Sequence, residues 1–275
     1  MYYKLCVMGN PIKHSKSPWI HAQFAKQFNL AVSYIKVKPD FDKFAVVLEN
    51  FINMQGNGIN VTLPFKEEAY KLATQTSLRA SIAKAVNTIK ITVDRDIYGD
   101  NTDGCGIIND LTINLNYSLT GKTVLIIGAG GAVRGILQPI LAESPAQLII
   151  ANRTIVKAQQ LATEFRVYGN IYSCGLNDLK DYKVDVIINA IAVNTPLYIP
   201  ESLMLTNNSL CYDLNYNNTR TPFIKWAQEK NCKIITNGLG MLIEQAAESF
   251  FLWTGKRVDV QSVIYLANKL VYKKI

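Results

Sequence analysis

Residues 123–135 read TVLIIGAGGAVRG, an aliphatic run that breaks into glycines. Apolar residues bounded by glycine fit a buried strand, and the small residues that follow open a helix. A glycine turn in that context is the form of a dinucleotide-binding loop. Gly128 allows the turn off the strand, and Gly130 lets the backbone approach a pyrophosphate. Gly131 and Ala132 begin the helix whose positive end faces that phosphate. The third small residue of the fingerprint falls on Val133, which predicts a helix standing slightly further from the sheet.

The next apolar run, QLIIAN, leads into Asn152, Arg153 and Thr154. An acidic residue there would hold the ribose 2′-hydroxyl of NAD. A guanidinium instead suits a 2′-phosphate and stacks on adenine, while Asn152 and Thr154 offer neutral hydrogen bonds. Lys157 adds a second cation one helical turn later. The alternative is that Thr154 is only a helix N-cap and Arg153 a solvated loop residue. With the glycine loop beside it, the triplet points to NADP.

Working outward, VDVIINA, SLCYDL and KIITN continue the series of short apolar runs, with helical stretches TIVKAQQLATEF and PFIKWAQEK between them. That alternation predicts a parallel sheet with helices on both faces. Upstream, YKLCVMG, VSYIKVK and GINV read as strands, with helices SPWIHAQFAKQF, FDKFAVVLENFINM and KEEAYKLA. AVNTIKITV and DIYG form a hairpin turning at Asp94-Arg95-Asp96. The expected division is residues 1–102 as one α/β domain and 103–240 as a second. The apolar helix MLIEQAAESFFLWTG then returns, so that 241–275 complete the first domain.

Composition narrows the class. The chain has 275 residues, 49% of them hydrophobic and 18% charged, as in a globular protein with a sizeable core. Its apolar runs are too short to cross a bilayer, and its N-terminus lacks the pattern of a secretory signal. The expected location is cytoplasmic. Five scattered cysteines without a CxxC pair and two histidines seven apart offer neither a disulfide framework nor a metal site. The formal charge of +8 comes from dispersed lysines, which suits small anionic ligands better than nucleic acid.

Polar stretches in the first half sit at ends of predicted elements, where a cleft would form. In HSKSPW, Pro18 suits the first helical position and Ser17 the N-cap, a cap that does not explain Ser15 two residues earlier. Two hydroxyls at a helix N-terminus make a carboxylate site. In NVTLPFKEE, Asn60 and Thr62 share one face of an extended strand, and Pro64 places Lys66 in the first turn of a helix. A cation there opposes the helix dipole, a field that favours release of its proton and suits it to acid–base work. Glu67 and Glu68 are its alternative, purely neutralising partners. Asn87 lies beside a strand, and Asp103 precedes a helix, where it acts as an N-cap or faces Lys66.

PIKHSKSP, GINVTLPFK, KAVNT, GDNTDG, GAGGAVRG, NRT and NGLGMLIEQA together resemble the shikimate dehydrogenase family in order and approximate spacing, over nearly the whole chain. The resemblance implies an N-terminal α/β substrate domain, a Rossmann-type parallel-sheet NADP-binding domain, and C-terminal helices returning to the first domain. It implies the reversible NADPH-dependent reduction of 3-dehydroshikimate to shikimate, on the chorismate route to aromatic amino acids. Lys66 and Asp103 match the catalytic pair, Ser15 and Ser17 the carboxylate contacts, and Asn60, Thr62, Asn87 and Gln245 the hydroxyl contacts. Tyr216 lines the same pocket, and Gly238 and Met241 match contacts on the nicotinamide side. The implied state is a monomer or homodimer. The chain departs from the family at Asn189-Ala190-Ile191-Ala192-Val193, where hydroxyl residues beside the cofactor are usual, and at Asn218 and Phe223. Rival readings are a quinate/shikimate dehydrogenase with broader substrate and cofactor use, and a catalytically silent NADP-binding regulator.

Overall fold

The computed structural model describes residues 2–179, 182–192, 196, 198–216 and 220–272. The chain divides into two compact units, Met1–Ile107 with Ile243–Ile275, and Ile108–Leu242. The first unit contains β1 (Tyr2–Met8), α1 (Ser17–Gln27), β2 (Ala31–Val37), α2 (Phe44–Asn53), β3 (Gly58–Val61), α3 (Lys66–Leu72), β4 (Gln75–Thr76), α4 (Leu78–Ala83), β5 (Thr88–Ile91) and β6 (Ile97–Asp100). The helix α5 (Asp103–Asn109) begins in this unit and runs into a π-helical turn at Asp110–Asn114.

The six strands of this unit form a mixed sheet in the order β2-β1-β3-β5-β6-β4. β1 pairs in parallel with both β2 and β3, and the hairpin β5–β6 adds antiparallel partners. Arg95 adopts a left-handed conformation in the hairpin turn expected from the sequence. Apolar residues of β1, β3 and α2 and the N-cap of α3, among them Met8, Ile59, Val61, Phe44, Leu48 and Phe65, bury a common core. Phe44 and Phe65 stack with ring centroids 4.9 Å apart. Each such fully buried side chain contributes roughly 1.5–3 kcal/mol relative to exposure. That packing fixes the ends of β3 and α3, where Asn60 and Lys66 stand.

The second unit contains β7 (Thr123–Ile127), α6 (Gly131–Ala142), β8 (Gln147–Asn152), α7 (Ile155–Phe165), β9 (Ile171–Gly175), β10 (Lys183–Asn189), β11 (Met204–Asp213), α8 (Pro222–Glu229) and β12 (Ile234–Asn237). All six strands are parallel, in the order β12-β11-β10-β7-β8-β9. The strand order reverses between β7 and β10, the switch point of a doubly wound dinucleotide-binding sheet. The central strands carry continuous apolar runs because helices cover both their faces. β9, whose sequence IYSCG carries only a weak apolar signal, forms one edge.

α9 (Leu239–Thr254) and α10 (Val260–Tyr272) complete the chain, and their residues from Ile243 onward belong to the first unit. Trp253 of α9 donates its indole N–H to the Ile89 carbonyl at 2.8 Å, which ties this helix to β5.

Candidate active site

In the first unit, Lys66 and Asp103 are both buried, 8% and 5% exposed. Lys66 Nζ donates to Asp103 Oδ2 at 2.5 Å. Lys66 opens α3 and Asp103 opens α5, and the Lys66 carbonyl accepts from the Val86 amide at 2.9 Å. Glu67 and Glu68, its neighbours in the first turn, make no ion pair with it among the described residues. Removing one member of a buried ion pair typically costs about 3–5 kcal/mol, because the other charge is left uncompensated. The pair is therefore a tightly specified feature of the fold.

Asn87 is the hub beside it. Its Nδ2 lies 2.8 Å from Asp103 Oδ1, 3.0 Å from Thr102 Oγ1 and 3.2 Å from Gln245 Oε1. Its Oδ1 accepts from the Thr102 amide at 2.8 Å and from Thr88 Oγ1 at 2.9 Å. Asn87, Asp103 and Gln245, from a strand edge and two helices, thus converge on one polar cluster. Asn60 forms a second cluster. Its Oδ1 accepts from Tyr34 Oη at 2.7 Å and lies 3.2 Å from His21 Nε2, while its Nδ2 contacts Ser249 Oγ, Thr88 Oγ1 and the Asn87 carbonyl. The amide nitrogen must face that carbonyl, so Oδ1 faces the ring and His21 carries its proton on Nε2. Thr62, just after β3, is half-buried.

Ser17 corrects one expectation. The N-cap of α1 is Lys16, whose own side chain makes no cap bond, and Ser17 is the first helical residue. The Ser17 amide donates to Ser15 Oγ at 3.3 Å, so Ser15 rather than Ser17 serves the helix start. The Ser17 hydroxyl is instead engaged laterally, accepting from Ser15 Oγ at 3.2 Å and hydrogen-bonding the Tyr34 hydroxyl. Asp103 likewise spends its carboxylate on Lys66 and Asn87, and the Asp103 amide is taken by Asn101 Oδ1 at 3.1 Å.

In the second unit, Gly128 has φ of +119°, a conformation that L side chains rarely adopt, and its amide donates to the Ala151 carbonyl at 2.8 Å. Gly130 is the N-cap of α6 and offers no side chain to its first amides. A Cβ on Gly130 or Gly131 would meet no atom within 4 Å, so the space before these amides is open. Ala132 follows in the first turn, and Val133 is fully buried, accommodated within the helix–sheet packing. Thr154 is the N-cap of α7 but its side chain makes no cap hydrogen bond. Asn152 Nδ2 donates to the Thr154 carbonyl at 2.9 Å and holds this turn. Arg153 and Lys157 are exposed, and neither makes an ion pair among the described residues. Arg134 on α6, by contrast, is paired with Glu164 at 2.8 and 3.0 Å. Uncapped helix amides behind open glycines, followed by exposed cations after β8, fit a dinucleotide bearing an extra phosphate.

At the carboxyl end of β10, the Ile191 amide donates to Asn189 Oδ1 at 3.2 Å, and its carbonyl accepts from Asn215 Nδ2 at 2.9 Å. Two asparagine side chains thus hold the Ile191 backbone, in the stretch where the family's hydroxyls are missing. Phe223 is buried and stacks on Trp226, a packing role. Val193 and Asn218 lie outside the described residues. Tyr216 is half-buried, and burial raises its hydroxyl above the usual tyrosine range. Gly238 follows β12, and a Cβ there would lie 2.3 Å from the Leu214 carbonyl oxygen. The Met241 amide donates to Tyr212 Oη at 3.3 Å.

Several participants carry no individual signal in the sequence. Ser249 lies four residues after Gln245 and so on the same helical face, a spacing that points to a shared neighbour. Tyr34 and His21 have no such cue.

A dinucleotide-type parallel sheet in the same chain as a buried lysine–carboxylate pair defines an NAD(P)-dependent oxidoreductase. Residues 7–89 match the family model for the shikimate dehydrogenase substrate binding domain, 111–214 that for shikimate / quinate 5-dehydrogenase, and 238–264 that for the shikimate 5′-dehydrogenase C-terminal domain. The shikimate dehydrogenase (NADP(+)) of Vesicomyosocius okutanii is 49% identical over 95% of this chain and 98% of its own length. The crystal structure of the Thermus thermophilus shikimate 5-dehydrogenase in complex with shikimate has a TM-score of 0.85 at 29% identity, covering 98% of this chain and 99% of that one. A shikimate dehydrogenase crystallised with NADP+ matches with a TM-score of 0.85 at 30% identity, covering 100% of this chain and 96% of that one. The chain belongs to the shikimate dehydrogenase family.

Proposed function

We propose that the protein is an NADP-dependent shikimate dehydrogenase, reducing 3-dehydroshikimate reversibly to shikimate on the route to aromatic amino acids. The observation that carries this reading is the buried Lys66–Asp103 pair, hydrogen-bonded to Asn87. The first unit binds the substrate and the second the cofactor. Ser15 and Ser17 hold the carboxylate, while Asn60, Thr62, Asn87 and Gln245 orient the ring hydroxyls.

NADPH, when bound, supplies the hydride. Gly128, Gly130, Gly131 and Ala132 cradle its pyrophosphate, and Asn152, Arg153, Thr154 and Lys157 hold the 2′-phosphate end. Ile191, Gly238 and Met241 flank its other end. Lys66 donates the proton that the C3 oxygen takes up as its carbonyl becomes a hydroxyl, and recovers it in the reverse direction. Asp103 holds the ammonium in place, balances its charge and accepts from a substrate hydroxyl. Such positioned donors stabilise the developing alkoxide without reorganisation. The enzyme works in the cytoplasm, as a monomer or a homodimer. Among the described residues no helix is long and apolar enough to cross a membrane.

The test is absorbance at the reduced-nicotinamide band with shikimate and quinate, each crossed against NADP and NAD. Reduction strongest with shikimate and NADP is expected. Comparable rates with quinate or NAD would make the chain the broader paralogue. No reduction in any pair, with NADPH still bound, would make it the silent regulator.

A further inference from the structure

Asp110 is a carboxylate buried in the second unit to 4% exposure, in the π-helical turn Asp110–Asn114. Its Oδ2 accepts from Tyr212 Oη at 2.5 Å, and its Oδ1 from Asn114 Nδ2 at 2.8 Å. The Met241 amide donates to the same tyrosine oxygen and also hydrogen-bonds the carboxylate. No ion pair to Asp110 occurs among the described residues. Met241 lies in the first turn of α9, where amides have no intrahelical partner and the helix dipole presents its positive end. Asn237 Oδ1 serves the Leu239 amide at 3.0 Å, and Tyr212 with Asp110 serves the Met241 amide. The carboxylate is thus an N-cap supplied from a distant part of the chain. Burial raises Asp110 above the usual carboxylate range, as expected of a site whose donors are all neutral.

The two glycines of NGLGM follow from this arrangement. A Cβ on Gly240 would lie 1.9 Å from Asp110 Oδ1, as a Cβ on Gly238 would lie 2.3 Å from the Leu214 carbonyl. The turn from Gly238 to Met241 is therefore clamped on one side by backbone and on the other by a carboxylate. It directly follows β12, at the carboxyl edge of the parallel sheet. In a sheet of this order each half serves one nucleotide at the carboxyl ends of its strands. Arg153, after β8, assigns the adenosine half to β7–β9, so the nicotinamide half falls to β10–β12.

We propose that Asp110 and Tyr212 are positioning residues for the nicotinamide half of the cofactor, acting by holding the Gly238–Met241 turn rather than by touching the ligand. This rests on the reading of the second unit as an NADP site. A clamp of this kind moves affinity for the whole dinucleotide and leaves alone a ligand that carries only the adenosine end.

The experiment measures equilibrium binding of NADPH and of 2′,5′-ADP, which lacks the nicotinamide half, to the full chain and to Tyr212→Phe and Asp110→Asn. For Tyr212→Phe, NADPH dissociation constants are expected to rise roughly three- to tenfold, the range one hydrogen bond carries, with 2′,5′-ADP changed less than twofold. Asp110→Asn, which keeps an acceptor for the tyrosine but opposes Asn114, is expected to show the same split at smaller size. Retained 2′,5′-ADP binding also reports that the unit is folded in each variant. Equal losses for both ligands, or no loss for either, would overturn the proposal. Failure of the unsubstituted chain to bind 2′,5′-ADP would instead overturn the NADP reading beneath it.

Discussion

His21 is fully buried and stacks on Tyr34 with ring centroids 4.6 Å apart. Burial pushes its imidazole from 6.5 down to about 3, against the weaker opposing effect of its hydrogen bond to Asn60. The folded protein therefore keeps this ring neutral where the unfolded chain protonates it. Stability linked to His21 is complete above pH 6.5 and declines as pH falls from there towards 3. Each pH unit in that window is worth about 1.4 kcal/mol, so moving from pH 7.5 to 5.0 removes about 2 kcal/mol. Urea unfolding at the two pH values, in the unsubstituted protein and in His21→Phe, isolates this share from all other titrations. Phenylalanine keeps an aromatic ring against Tyr34 and forfeits one hydrogen bond, about 1 kcal/mol at both pH values. The unsubstituted protein is expected to lose about 2 kcal/mol more than the variant on acidification. Equal losses would refute the argument and mean that the ring is either protonated or reached by water in the folded state. Long-range nitrogen correlation spectra add a direct check, with Nε2–H retained as the tautomer at pH 5.

Lys66→Met, which fills the volume without the proton, should lower kcat by about a hundred- to ten-thousandfold with little change in KM. A kcat within tenfold of the original would remove the lysine from the chemistry. Arg153→Ala should weaken NADP by about tenfold or more, the value of a charge-assisted contact, and NAD much less. Equal losses would show that Arg153 does not read the phosphate. Gly240→Ala drives a methyl into a carboxylate already held by Tyr212 and Asn114, and should cost on the order of 2–3 kcal/mol in urea unfolding. Unchanged stability would mean that Asp110 moves freely aside.

The cofactor unit was the more legible in sequence, because its signals are local. A strand, a glycine turn and a helix follow one another in TVLIIGAGGAVRG, and the structure builds them as β7, Gly128 and α6. The same locality recovered GINV as β3 and turned the hairpin at Arg95. Local signals failed where tertiary contacts decide. Ser17 carries the sequence cue of an N-cap, yet its hydroxyl turns to Tyr34, seventeen positions on, and Lys16 takes the cap position. The second glycine of NGLGM owes its identity to Asp110, well over a hundred residues away, which no window on the motif contains. β4, α4 and the edge strand β9 were missed because their local signals are weak. The first two are two and six residues long, too short for a periodic pattern to stand out.

The bonds from Ser15 to Ser17, on to Tyr34 and then to Asn60 have a direction, since each hydroxyl owns one proton. Asn60 Oδ1 only accepts, so Tyr34 gives its proton inward, Ser17 gives its own to Tyr34, and Ser15 gives to Ser17. Ser15 stands at the outer end of this one-way wiring. An arriving anion can accept from Ser15 when one half-exposed hydroxyl rotates, at the loss only of its part-buried bond to Ser17. A second proton, from Ser17, comes only by uncoupling Tyr34. Any anion held here is therefore met in two unequal steps, the first at the loss of one outer hydroxyl bond and the second drawn against the interior of the unit.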